Sequence, residues 1–201
     1  MPEELLVPFP VPRERVPMAT KVRSTLITSS IGSVRARGLV DRYAALLPHE
    51  HREALLTAVA GVWLPIALGV AHYDACDRLG FSGAEQVSIG QEVGNRIQGT
   101  MLGVLLRTAK GAGMTPWTAI LQTPRLWDRL FMGGGVSISK LGPKEGRLEI
   151  AGVPLAALTY FRAGFRGLAQ SGCELFCERA YVTEVQRLCT PTALTLKISW
   201  A

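Results

Sequence analysis

The apolar residues of this 201-residue chain change their period near residue 135. Before that point they recur every third or fourth position, the spacing of one helix face; after it they alternate. Leu194, Leu196, Ile198 and Trp200 are separated by Thr195, Lys197 and Ser199, the clearest strand signature in the chain. Val136–Ser139 and Arg147–Ile150 alternate too, with Gly142-Pro143-Lys144-Glu145-Gly146 as the turn between them. Pro154–Gly172 has helical spacing, with Leu155, Leu158, Phe161, Phe165 and Leu168 inward, and Arg179–Leu188 with Thr192–Trp200 forms a second hairpin. This order predicts an α+β fold: an N-terminal helical bundle followed by a β-β-α-β-β antiparallel sheet unit.

Residues 1–20 hold Pro2, Pro8, Pro10, Pro12 and Pro17. Each lacks a backbone donor and disfavours helix before it, so the segment is expected to be an extended arm, either disordered or laid across a neighbour. Residues 21–201 then form a single α+β domain. The Ser/Thr/Ile-rich stretch predicts a strand at Ser24–Ser29, and helical spacing follows from Ser33 to Pro48. A second helix is expected over His49–Gly69, kinked or divided at Pro65 and continuing to a stop at Gly80.

Ser82 and Glu85 make a capping box that opens a helix running to about Lys110. Gly90, Gly94, Gly99 and Gly103 lie along it, each costing about 1 kcal/mol against Ala. Close approach of another helix is the usual compensation. Thr115-Pro116 and Thr123-Pro124 open two further short helices, carrying Trp117 and Trp127.

Composition excludes several classes. With 48% hydrophobic residues the chain can fill a core, so it is not disordered. No run of about 18 uncharged apolar residues occurs, which argues against membrane insertion. The net charge of +6 is spread thinly, with no block of five like charges, so no nucleic-acid footprint is read from it. The Met-Pro-Glu-Glu-Leu-Leu start has neither basic nor apolar leader regions. Cytoplasmic residence and reduced thiols are therefore expected.

Chemistry-bearing residues are sparse. Cys173, Cys177 and Cys189 cluster near Glu174 and Glu178. They are read as buried thiols, with a zinc site as the alternative; the x3 spacing departs from a CxxC knuckle. His72 with Asp74 is the one acid–base pair of note, and no GxSxG or HExxH motif accompanies it. Gly133–Gly135 lacks the strand before and the Lys-Ser/Thr after that a phosphate loop needs. Arg162 and Arg166, one turn apart, are an exposed basic face or a carboxylate or phosphate clamp.

From about Ser24 to Trp200 the chain resembles an uncharacterised, mainly myxobacterial domain family of unknown function. The resemblance is carried by Gly38-Leu39-Val40 before Leu46-Leu47-Pro48, by the glycine-punctuated Gly90–Leu106, by Tyr160-Phe161-Arg162-Ala163-Gly164 and by the closing Ile198-Ser199-Trp200. The element order is similar to the superfamily of vinyl-reductase-type sensor domains, TRAPP transport subunits and haem nitric-oxide sensors. That resemblance implies a pocket for a small apolar ligand or a dimerising interaction module. The haem sensors carry a proximal His and a Tyr-x-Ser-x-Arg clamp; the clamp does not occur here, which argues against haem.

The sequence is therefore read as a bacterial, non-enzymatic sensor or regulatory domain. It binds a small apolar molecule through Trp117, Trp127, Phe161, Phe165, Arg162 and Arg166, and acts through a homodimer or a regulatory protein partner. The alternatives are a protein–protein adaptor that uses the arm and an open sheet edge, and an enzyme centred on His72 and Asp74.

Overall fold

The computed structural model describes residues 3–98 and 115–201. The period change near residue 135 marks the border between two kinds of layer. β5 (Gly135–Gly142) and β6 (Glu145–Ala151) form the first hairpin, and β7 (Ala180–Glu184) and β8 (Ala193–Trp200) the second. β6 pairs directly with β8, so with β1 (Glu4–Val7) at one edge the sheet runs β1-β5-β6-β8-β7, antiparallel throughout. Leu148 sits opposite both Ile138 and Leu196, and Ile150 opposite both Val136 and Leu194. That register puts one apolar face towards α8 (Thr159–Cys173), the helix between the hairpins.

The opposite face of the sheet carries Ser137, Arg147, Glu149 and Lys197. The proline-rich start lies over it. Glu4–Val7 forms β1 against the edge of β5, and Val7 carbonyl accepts from the Ser137 hydroxyl at 2.9 Å. Arg13 reaches across to Glu149 and to the carbonyl of Leu188, while Glu3 pairs with Arg147. Within it Glu4–Val7 is a strand and Arg13–Arg15 one 3-10 turn, and its partner is this chain's own sheet.

Outside α8 packs α5 (Gly83–Gln98), which begins at the predicted capping box: Glu85 accepts from both the amide and the hydroxyl of Ser82. The glycine argument holds for Gly90 and Gly94. A β-carbon on Gly90 would overlap the carbonyl of Gly164, and one on Gly94 would overlap the Ser171 hydroxyl. In return Gly167 lies against the Val87 carbonyl. Two helices meeting at small residues approach backbone to backbone, which offsets the propensity cost. Gly99 and Gly103, and the predicted run to Lys110, lie outside the described residues.

The N-terminal helices differ from expectation in two places. The predicted strand at Ser24–Ser29 is helix α1 (Ser24–Ala36), and the strand is β2 (Lys21–Arg23) just before it. Leu26, Ile27, Ile31 and Val34 are buried at helical spacing, and that stripe outweighs the β preference of single Thr and Ile residues. Of the two expectations for His49–Gly69, a helix kinked or divided at Pro65, the chain is divided, and a strand lies between the two helices. After α2 (Val40–Leu46) come α3 (His49–Leu56), β3 (Trp63–Pro65) and α4 (Ile66–Asp77). Pro65 is the residue before α4, not a kink within a helix. Val59 and Val62 are exposed in the connection.

Two short helices complete the described chain, α6 (Pro116–Leu121) and α7 (Thr123–Leu130), each opened by its Thr-Pro pair. α7 runs directly into β4 (Phe131–Met132), which joins β2 and β3 in a second sheet of order β3-β2-β4. Gly133, Gly134 and Gly152 adopt positive φ there, and the chain at Pro17–Ala19 passes against them.

Candidate functional site

α8 is held at its start and along its sheet side. At its start Asp77, on α4, accepts the amides of Thr159 and Tyr160 at 3.0 and 2.6 Å, capping the helix from a distant element. Burial, the largest influence, pushes the Asp77 carboxyl above its usual range, and these two amides oppose it. On its sheet side Arg162 pairs with Glu184, and Arg166 Nε donates to the Val182 carbonyl at 3.3 Å. The two arginines thus tie α8 to β7. Neither lines either of the two cavities described below.

Between α8, the end of α5, the α6–α7 pair and the sheet lies a cavity of about 110 Å³. Trp127 and Phe165 face it, with Leu130, Leu168, Cys173 and Ile198. Among the described lining residues none is charged; the Thr123 hydroxyl and the Cys173 thiol are its side-chain polar groups. Trp127 is fixed by stacking on Phe131, ring centroids 4.2 Å apart, and by donating from Nε1 to the Gly133 carbonyl at 3.0 Å. Burial pushes the Cys173 thiol up to about 12, so it is protonated at neutral pH. Apolar cavities of about 150 Å³ stay dry and accept benzene or xenon, and this one is of that size class.

Phe161 sits one turn behind Phe165, packed edge-on against Tyr73 and Phe131, and faces a second, smaller void of about 30 Å³. Trp117 is not in the wall of the larger cavity. It donates to the Pro143 carbonyl at 2.9 Å and packs edge-on against Trp200, over Gly146, where a β-carbon would stand 2.9 Å from the indole. Trp117 therefore anchors α6 onto the sheet end. Leu168, Ala169 and Gly172 were missed as wall residues, although they continue the stripe begun by Phe161 and Phe165 at helical spacing.

The His72–Asp74 pair is not formed. His72 is fully buried and its Nδ1 bonds the Tyr43 hydroxyl at 2.8 Å, while Asp74 pairs on the surface with Arg78 at 2.7 Å. Burial lowers the imidazole to about 3, leaving it neutral. Successive residues at i and i+2 on a helix point in different directions, which separates these two. Nearby, Ser30 and Tyr160 hydroxyls bond each other at 2.9 Å. The thiols are likewise dispersed in their bonding: Cys177 towards the Cys173 carbonyl, Cys189 towards the carbonyls of Val185 and Thr195. Among the described residues no group of three or more His, Cys, Asp or Glu is placed to hold a metal ion.

No family model matches the chain, and no curated protein matches it. Its fold is that of solved H-NOX domains. An Fe(II) unliganded H-NOX protein from K. algicida is 11% identical with a TM-score of 0.65, covering 89% of this chain and 96% of that one. An oxygen-binding H-NOX domain related to soluble guanylate cyclases is 11% identical with a TM-score of 0.56, covering 88% and 92%. A structure concerned with haem redox potential and porphyrin distortion is 12% identical with a TM-score of 0.57, covering 89% and 99%. The chain thus has the α+β architecture of the haem nitric-oxide sensors.

These neighbours overturn the reading that set haem aside for want of the clamp motif, since haem proteins share this fold at that level of identity. A haem also needs an axial donor. Among the described residues the cavity offers one, the Cys173 thiol, and no histidine lines it. Its apolar walls suit a porphyrin face, but about 110 Å³ is small beside a porphyrin. The described residues do not assemble a histidine-ligated haem site.

Proposed function

We propose that the chain is a non-enzymatic sensor or regulatory domain that binds a small apolar molecule in the cavity beneath α6 and α7. The observation that carries this is the cavity itself: a space walled by apolar side chains, with one tryptophan fixed by a stack and a hydrogen bond. Apolar pockets with few, placed polar groups are the common form of a small-molecule site. The fold shared with sensor domains supports the same reading.

In this reading Trp127 and Phe165 contact the ligand and Phe161 backs Phe165. Trp117 holds α6 in place, and Arg162 with Arg166 holds α8. A ligand would displace α6–α7 relative to α8, and a homodimer or a regulatory partner would read that shift. The mainly myxobacterial family and a cytoplasmic setting belong to the same proposal. No helix among the described residues is long and apolar enough to cross a membrane.

Native mass spectrometry of the purified chain, with its visible absorption spectrum, tests this reading. A retained small organic mass or a mass shift with added benzene supports it, and the same spectrum gives the oligomeric state. A Soret band with a haem mass would replace the small apolar ligand by haem. A chain that carries nothing and takes up neither benzene nor haem contradicts the ligand-binding reading.

A further inference from the structure

The outer face of the small sheet is a second, separate surface. Val22 lies in register with Leu64 and Phe131, and Val22 and Phe131 are buried. Alternation turns their neighbours the other way: Lys21 beside Pro65 and Met132, and Arg23 beside Trp63. The Arg23 guanidinium lies 3.9 Å over the Trp63 ring. Its Nε donates to the Arg129 carbonyl at 3.2 Å and its Nη1 to the Gly61 carbonyl at 3.0 Å. A stacked and doubly tethered guanidinium loses little entropy on binding, and its remaining donors suit a carboxylate.

α7 enters β4 beside this face, and its Arg125 and Arg129, one turn apart, are both exposed. Large apolar side chains are exposed on this face and in the chain next to it: Met132 at 38% beside Lys21, Val62 at 41% just before β3, and Met18 at 45% shortly before β2. Four cations (Lys21, Arg23, Arg125 and Arg129) stand against one exposed acid of α7, Asp128. Although the chain's positive charge is diffuse in sequence, the fold gathers part of it here around Trp63 and two methionines. Arg, Trp and Met are the residue types enriched at protein interfaces.

We propose that the outer face of β3-β2-β4 docks an acidic, apolar-bearing segment of a partner protein. Its carboxylates meet Lys21, Arg23, Arg125 and Arg129, and its apolar side chains meet Met18, Val62 and Met132. This surface shares α7 with the cavity but none of the cavity's described lining side chains, so partner and ligand occupy different places.

The test uses the full chain and a fluorescein-labelled peptide alternating Glu and Asp with Leu and Phe. Its Lys-substituted counterpart and phosphatidylserine-containing vesicles serve as comparisons. The acidic peptide is expected to bind saturably and more weakly as salt rises, with backbone amide protection confined to 18–23, 62–65 and 129–132. The variant K21E/R125E/R129E is expected to bind about tenfold more weakly, the scale of three exposed charge pairs, at an unchanged melting temperature. Met132→Ser is expected to weaken the binding that persists at high salt. Undiminished binding by the triple variant, protection elsewhere, or binding to vesicles but not to the peptide would overturn the proposal. Should the triple variant unfold, Lys21→Ala and the protection map of the unaltered chain decide the same question.

Discussion

A β-carbon on Gly90 would overlap the carbonyl oxygen of Gly164, whereas a β-carbon on Gly164 would meet nothing within 4 Å. At this pair the contact between α5 and α8 is one-sided, with the empty space of one glycine filled by the backbone of the other; the α8 glycine that faces α5 is Gly167. Gly90→Ala is expected to destabilise the fold by about 1–3 kcal/mol, the usual cost of overpacking. That exceeds the roughly 1 kcal/mol gained in helix propensity. Gly164→Ala is expected to be neutral or stabilising by up to about 1 kcal/mol. Urea midpoints of the two variants separate these outcomes, and equal effects would contradict the contact.

His72 gives the fold an acid weakness. Burial holds the folded imidazole at about 3 against an ordinary 6.5, so between those values the unfolded chain takes up a proton that the folded chain refuses. Stability then falls as pH drops through the window, by on the order of 1.4 kcal/mol per pH unit at full slope. The upper part of the window, above the carboxylate range, isolates this group. His72→Gln is expected to flatten the slope there, even though its loss of the Tyr43 partnership lowers stability at neutral pH. A pH series of chemical denaturation curves measures both, and an unchanged slope would remove His72 from the account.

Glu92 acts with the opposite charge logic and the same direction. It accepts from Arg37 at 2.7 Å and from Ser33 at 2.6 Å, and the Arg37 hydrogen bond is the main reason its carboxyl is held below the usual range. Its contribution is present above the ordinary carboxylate value and is lost as pH falls through the lowered one. Because the pair is partly exposed and screened, Glu92→Gln is expected to cost only about 0.5–1 kcal/mol at neutral pH. The difference should vanish in strong acid. Thermal melts at the two pH extremes check it, and a cost that persists in acid would contradict the ionic origin.

Alternation and capping were legible in the sequence because they are local. The strand at Leu194–Trp200, the Ser82–Glu85 box and the two Thr-Pro starts each rest on residues within one element. Gly90 and Gly94 were legible too, since a repeated propensity cost in one helix demands a partner. The failures were those where tertiary burial outweighed propensity: Leu26, Ile27 and Ile31 make a helix from a β-prone stretch because their spacing, not their type, decides. The site was half legible. Trp127 and Phe165 line the cavity, but nothing local separates them from Trp117, whose direction is set by Gly146 and Trp200 across the sheet. The gathered cations of the small sheet were hidden because Lys21, Arg23, Arg125 and Arg129 lie on elements more than 100 residues apart.

The arm of residues 1–20 and the domain of residues 21–201 are proposed to be separable. Up to Arg15 the arm is held by the β1–β5 ladder, by Leu6 and Val7 against the core and by the polar pairs of Glu3 with Arg147, Arg13 with Glu149 and the Leu188 carbonyl, and Ser137 with the Val7 carbonyl; Val16 and Ala19 beyond it are buried. Removing residues 1–15 is expected to leave a folded chain that is less stable by about 1–3 kcal/mol, from the lost edge strand with its two half-buried apolar side chains and a few partly exposed polar contacts. Circular dichroism and melting temperature report the two parts of that outcome. A truncated chain without cooperative unfolding would mean that the arm belongs to the domain.

The cavity is the centre of the account, and diffraction from crystals held under xenon tests it most directly. Xenon is predicted between Trp127, Phe165 and Cys173, with Ala169→Phe abolishing that peak and leaving the fold unchanged. Xenon absent from this space at saturating pressure, or bound in the same amount in the Ala169→Phe variant, would contradict it.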